Sequence, residues 1–326
     1  MLPYLTEHFG NPSGAHRMAR SSRAAIDDAR DICAAALGFD PHGIVFTSGG
    51  TESDNLAIHG ACGAQGRAIC PETEHHAVLY PVEAHNGCFV KVTETGDIDL
   101  EHFETLLDLD LSIISVMLVN NESGRVIDLE PIADLRDRFA PQALLHTDAV
   151  QAVNWLDIAA AAERADMMSL SGHKFGAPKG VGVLAIRKQV GITPQLLGGG
   201  QEAERRSGTH NTAGIVALGA AIQCLHESRA SEIERLGSLS TRLAEGLTAA
   251  IPRCYETVPR SHRAAGILQL VVEGIESEAL LVLLERHDIM ASAAASCASG
   301  AMDPSHVLAA MGFERAAAAG SLRLSL

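Results

Sequence analysis

Residues 167–186 read MMSLSGHKFGAPKGVGVLAI: an apolar run, a loop of small residues carrying a lysine, and a second apolar run. The two runs are short and uninterrupted, as expected of strands buried on both faces rather than of half-exposed ones. The glycines between them let backbone approach a ligand closely. Lysines stand only at 91, 174, 179 and 188, and Lys174 lies in this loop between His173 and Phe175. A surface lysine usually does no more than solvate the protein. One desolvated in such a setting has a lowered pKa and becomes nucleophilic, so a Schiff-base lysine is the sharper reading.

Similar runs recur on both sides: GIVFT, AIC, CFVKV, LSIISVMLV and ALLHT before it, each separated from the next by helical or turn-forming sequence. The segment SSRAAIDDARDICAAAL, residues 21–37, has the 3.6-residue period of an amphipathic helix ended by Gly38. Strands alternating with helices predict a three-layer α/β fold with a mostly parallel sheet covered on both faces. Near residues 228–247 the pattern changes to one polar-faced helix, SRASEIERLGSLSTRLAEGL. Beyond it GILQLVVE, SEALLVLLERH, IMASA, PSHVLAAMG and SLRLSL predict a smaller α/β layer. The expected division is a large domain over 1–228 and a small one over 229–326.

The composition narrows the function. With 326 residues, 47% hydrophobic and 20% charged, the chain can bury a substantial core. A formal net charge of −15 argues against nucleic-acid or anionic-membrane binding, which needs clustered Lys and Arg. Apolar runs stop well short of the ~20 residues that span a bilayer, and no basic-apolar leader pattern opens the chain. The expectation is a cytoplasmic protein with a small-molecule or protein partner. Seven cysteines, at 33, 62, 70, 88, 224, 254 and 297, include no CxxC pair, so reduced thiols are expected and no metal site.

Three further stretches suit one chemistry. GIVFTSGGTESDN, residues 43–55, runs from a strand through Gly49 and Gly50 into a helix starting near Thr51. Backbone N–H groups at such a turn, with the Ser48 and Thr51 hydroxyls, would cradle a phosphate; a plain strand-to-helix connection is about equally common. It is not a dinucleotide fingerprint, because GxGxxG is absent. In ALLHTDAVQ, Asp148 ends an apolar strand, where ligands of parallel sheets bind, with Gln151 just beyond. An aspartate there could hold the ring nitrogen of pyridoxal phosphate protonated, or merely cap a helix. His75 of PETEHHAVL could stack on a ring and shuttle protons, although a lone histidine is more often structural.

Taken in order, the series FGNP (9–12), FTSGGTESDN (46–55), TEH (73–75), VNNE (119–122), TDAVQ (147–151), SGHKFGAPKGVG (171–182), GGGQE (198–202), RRSGT (205–209) and SCASGAMDPSHVLAAMG (296–312) resembles the NifS/IscS-type cysteine desulfurases. These are pyridoxal 5'-phosphate enzymes of the class V aminotransferase group with the fold-type I architecture. The resemblance implies that Lys174 binds the cofactor covalently, His75 stacks on its ring and Asp148 pairs with the ring nitrogen. It places Asn121 and Gln151 near the ring hydroxyl and the substrate, and Gly50, Thr51, Ser171 and His173 around the phosphate. Thr209 would reach the partner subunit's phosphate site, implying a homodimer. Arg323 would clamp the carboxylate of L-cysteine. Cys297 would take the sulfur as a persulfide, alanine would leave, and the sulfur would pass to an acceptor protein, an iron-sulfur scaffold or a thiolation factor.

The stretch ASAAASCASGAMDPS, residues 291–305, is built of residues too small to bury much surface. A mobile loop carrying Cys297 between cofactor and acceptor is expected of it. The resemblance also implies a strand segment some tens of residues ahead of FGNP and further helices after Arg323, so a shortened relative or a fragment is expected. Two other readings follow: a non-catalytic partner of an intact desulfurase, and a lyase acting on selenocysteine or another β-substituted amino acid.

Overall fold

The structure is a computed structural model and describes residues 1–293 and 305–326. Seven strands form the main sheet: β1 (Ile44–Thr47), β2 (Arg67–Pro71), β3 (Cys88–Val90), β4 (Leu111–Ser115), β5 (Leu144–Asp148), β6 (Met167–Ser171) and β7 (Gly182–Ile186). Their order is β1-β7-β6-β5-β4-β2-β3. Pairs from β3 through β6 are parallel, whereas β7 runs antiparallel to both β6 and β1. The mostly parallel α/β fold read from the sequence is therefore the one observed. The connection between β6 and β7 is too short for a crossover helix, which is why that pair is antiparallel.

Burial explains the uninterrupted apolar strands. Every residue of β1, β6 and β7 is buried. Along β1, Val45 packs on one side of the sheet while Ile44 and Phe46 pack on the other. The helices are α1 (Pro3–Thr6), α2 (Arg17–Leu37), α3 (Gly50–Cys62), α4 (His76–Ala84), α5 (Leu100–Leu106), α6 (Glu130–Phe139), α7 (Ile158–Ala161) and α8 (Thr212–Ala250). Leu56 and Ile58 of α3 and Val78 and Val82 of α4 cover the Val45 side. Ile26 and Ala29 of α2, Phe103 of α5, Ile132 of α6 and Leu218 of α8 cover the other. Three layers result.

Two helices begin earlier than the sequence pattern predicts. The first starts at Arg17 because His16 caps it, Nδ1 accepting from the Ala19 N–H at 3.2 Å; it ends at Gly38 with φ 71°, as expected. The helix expected over 228–247 spans Thr212–Ala250, so residues 228 and 229 lie within one continuous helix. Its first third is apolar and packs against α2, where a side chain on Gly219 would meet Ala29 at 3.1 Å. A second sheet of order β10-β9-β8 follows, from β8 (Cys254–Glu256), β9 (Ile267–Val272) and β10 (Ser321–Ser325), all antiparallel. With it come α9 (Ser277–Glu285), α10 (His306–Ala310) and α11 (Arg315–Ala318). IMASA contributes one isolated bridge, Ser292 to Arg323, rather than a strand.

Candidate active site

A cavity of about 270 Å³ opens at the carboxyl ends of the central strands, where ligands of parallel sheets bind. Its floor is Asp148, the last residue of β5 and 7% exposed. One carboxylate oxygen, Oδ1, accepts the Val150 N–H at 2.8 Å. Burial raises its pKa to about 6, against the opposing pull of that N–H and of the Lys174 charge. Gln151, in the turn after β5, lines the same wall.

Lys174 enters from the neighbouring strand. After β6 the chain makes a single 3-10 turn over Gly172–Lys174, closed by the Phe175 and Ala177 N–H groups donating to the Gly172 carbonyl. Phe175 drops into the core, which leaves His173 and Lys174 facing the cavity. Asn154 Nδ2 donates to the Lys174 carbonyl at 2.8 Å and holds the turn. Enclosure by protein lowers the Lys174 pKa, as does Arg323, while Asp148 opposes them. Ser171 Oγ lies 2.9 Å from His173 Nδ1.

The third wall is the start of α3. Gly49 adopts φ 153°, a backbone open to glycine, and a side chain on Gly50 would meet Val150 Cγ2 at 2.8 Å. The helix therefore begins hard against the end of β5, with Gly50 and Thr51 lining the cavity. Glu52 folds back to accept the Ser48 N–H at 2.8 Å and also binds Arg206 Nε at 2.7 Å.

His75 caps α4, its Nδ1 accepting from the Ala77 N–H at 3.1 Å, which places the proton of the neutral ring on Nε2. Enclosure, then His76, Lys174 and His306, lower its pKa. Asn121 is presented by a turn that Asn120 builds: Asn120 Oδ1 accepts from Glu122 and Ser123 N–H at 2.9 Å each, and Nδ2 donates to the Thr73 carbonyl at 2.8 Å. Arg323 reaches in from β10. Its Nη1 donates to the Asn121 carbonyl at 3.0 Å, and its buried Nε has no hydrogen-bond partner.

Ten of the twelve residues to which the resemblance gives a role line this one cavity. Thr209 does not: it lines a separate cavity of about 250 Å³ with Phe9, Asn11 and Pro12. Cys297 lies outside the described residues. Sequence reasoning missed two buried carboxyls beside Asp148. Asp54, on α3 one turn after Gly50, lines the cavity and is 1% exposed. Glu74, next to His75, is fully buried, Oε1 accepting the Met117 N–H at 2.5 Å. The signal available for Asp54 was its helical spacing from Gly50, which puts both on the face turned toward the sheet.

Fold and site together define a fold-type I aminotransferase-like protein, with a lysine after one central strand facing an aspartate at the end of the next. The whole chain, residues 1–326, matches the Aminotransferase class-V family, and it belongs to that family. It is 39% identical over 338 residues to "Cysteine desulfurase IscS" of Clostridium botulinum strain Hall, covering all of this chain and 84% of that protein. It is 41% identical over 335 residues to "Cysteine desulfurase IscS" of Methanosarcina thermophila, covering all of this chain and 82% of that one. Among solved structures, a NifS-like protein superposes with a TM-score of 0.92 at 31% identity, covering 100% of this chain and 88% of the other.

Proposed function

We infer that this chain is a cysteine desulfurase that uses pyridoxal 5'-phosphate to remove sulfur from L-cysteine, leaving L-alanine. The observation that carries the reading is that Lys174, Asp148 and Arg323 converge on one cavity beside the start of α3. The donor set fits the cofactor group by group. The opening turn of α3, where a Cβ on Gly50 would crowd Val150, offers N–H groups to a phosphate, with Ser171, His173 and Thr51 beside it. Asp148 supplies a buried anion for a pyridinium, and Lys174 an amine for an aldehyde.

Bound there, the cofactor supplies an electron sink that stabilises negative charge at the substrate Cα. The protein's residues do the rest. Lys174 Nζ, with its proton loosened by enclosure and by Arg323, would hold the cofactor covalently until the substrate amine displaces it, and the amine so freed would accept a proton as general base. Asp148 keeps the proton on the ring nitrogen. The neutral His75 ring would lie against the cofactor and carry a proton at Nε2. Arg323 retains donors beyond the one given to the Asn121 carbonyl, and these clamp the substrate carboxylate. Asn121 and Gln151 flank the ring hydroxyl and the substrate.

In this reading Cys297 takes the sulfur as a persulfide and hands it to an acceptor protein serving iron-sulfur assembly or tRNA thiolation. Residues 1–228 form the cofactor-binding part and 229–326 the smaller part carrying that cysteine. Thr209 contacts the partner subunit's phosphate in a homodimer, and the enzyme works in the cytoplasm. Among the described residues no helix is long and apolar enough to cross a membrane.

The test is to incubate purified protein with pyridoxal 5'-phosphate, L-cysteine and a thiol reductant and to quantify alanine and sulfide. Equal amounts of both are expected, and turnover is expected to vanish in Cys297→Ser while the cofactor stays bound. No alanine from the cofactor-loaded protein sinks the reading. Sulfide release that survives Cys297→Ser identifies a lyase instead.

A further inference from the structure

Three buried carboxyls cluster at the site, Asp54 and Asp148 on its floor and Glu74 behind them, at 1%, 7% and 0% exposure. Their surroundings differ. Asp148 accepts the Val150 N–H and faces the Lys174 charge. Asp54 Oδ1 is buried without a hydrogen-bond partner, as is Glu74 Oε2. Asp54 and Asp148 line the same cavity, whereas Glu74 lies behind it.

The nearest cationic candidate for Asp54 is His146, whose Nε2 is 3.8 Å from Asp54 Oδ1. His146 is fully buried and fixed between two hydroxyls, Nδ1 at 2.8 Å from Ser115 Oγ and Nε2 at 2.9 Å from Ser169 Oγ. Burial pushes its pKa down to about 3, so at neutral pH it carries no charge. The other groups acting on Asp54 are the Ser169 hydroxyl, which favours its anion, and Asp148 and Glu74, which oppose it. Burial is the largest influence and drives the carboxyl well above the ordinary range. Three charges in so small a volume repel one another, and the one with a backbone donor and a nearby lysine is Asp148.

We propose that Asp54 is a positioning residue of this site: it stays protonated and acts as a neutral hydrogen-bond donor on the cavity floor, leaving Asp148 as the carboxylate that faces the pyridine nitrogen. The inference rests on the reading that the cofactor is pyridoxal 5'-phosphate. It explains why a polar atom without a partner is kept at the cavity wall, where an apolar side chain would cost nothing in desolvation. Asparagine at 54 reproduces a neutral donor; leucine, of similar size, does not.

The experiment compares wild-type protein, Asp54→Asn and Asp54→Leu for pyridoxal 5'-phosphate affinity and for the pH midpoint of the bound cofactor's visible band. Asp54→Asn is expected within about twofold of wild type in affinity, with the same midpoint. Asp54→Leu is expected to bind about tenfold more weakly and to shift the midpoint. If circular dichroism shows Asp54→Leu unfolded, Asp54→Ala takes its place with the same expectation. Asp54→Asn behaving like the apolar variants overturns the proposal, because a negative charge is then required. Apolar variants indistinguishable from wild type overturn it as well. Wild-type protein that takes up no cofactor overturns the functional reading itself and this inference with it; uptake unaffected by position 54 overturns only the inference.

Discussion

Asp148 and Lys174 enter one cavity from neighbouring parallel strands, and each offsets what burial does to the other. Burial raises the Asp148 carboxyl to about 6 and the lysine charge holds it down; enclosure lowers the lysine and the carboxylate holds it up. An amine and an acid so placed both titrate nearer neutrality than free side chains do, the condition that acid-base chemistry at neutral pH requires.

Lys174→Ala removes the amine while leaving the turn, because Asn154 holds that turn through the backbone carbonyl. The variant is expected to lose the visible band of lysine-bound cofactor and to lower kcat by about a thousandfold or more. An absorbance spectrum and an alanine assay on the same preparation check both. Retention of the band in the variant would contradict the assignment.

Arg323→Lys keeps the charge but loses the planar fork, and with it either the bond to the Asn121 carbonyl or the clamp on the substrate. The expected effect is a KM for L-cysteine raised about tenfold or more, with cofactor affinity unchanged. Steady-state kinetics paired with a cofactor titration separates the two.

Much of this site was legible because it sits on strand ends. Strands buried on both faces read as uninterrupted apolar runs, so Asp148 and Lys174 could be placed just beyond ALLHT and MMSL. What could not be read depends on tertiary packing. Asp54 and Glu74 look like surface acids in sequence, and only the approach of α3 and of the turn before α4 to the sheet buries them. The short strand β8, Cys254–Glu256, carries too few residues for a periodicity. The apolar start of α8 hid its helical period until its contact with α2 supplied the reason for it. Thr209 lines a second cavity, and its place in RRSGT carries no signal for that.

The GGGQE stretch contributes a structural anchor. Glu202 is 7% exposed and receives Arg30 Nη2 at 2.6 Å, the Phe46 N–H at 2.9 Å and His210 Nε2 at 2.7 Å, tying the loop to α2 and β1. Burial works against its charge, but His210 and Arg30 win and hold its pKa at about 2. Glu202→Gln leaves Arg30 without its counter-charge, so a loss of about 3 kcal/mol in urea denaturation is expected. Because the folded pKa lies below the unfolded one, this stabilisation is present above pH 4.5 and fades as pH falls toward 2, and the variant should converge on wild type there. A gap that stays constant with pH would show that packing, not charge, is the source.

Glu74 works with the opposite sign. Burial first, and then Asp148, raise its pKa well above 4.5, so the folded protein holds a proton that the unfolded chain releases once pH exceeds that value. Its contribution to stability therefore falls as pH rises from 4.5, by up to about 1.4 kcal/mol per unit until the folded pKa is passed. Glu74→Gln keeps the acceptor for the Met117 N–H and removes the titration. The cofactor-free variant is expected to gain on wild type between pH 5 and pH 7, measured as the difference between their urea-denaturation free energies at each pH. Asp54 and Asp148 are present in both proteins but are coupled to Glu74 through their charges, so the difference reads the proton linkage of the cluster that Glu74 belongs to. An equal difference at both pH values would mean that Glu74 ionises normally in the folded protein.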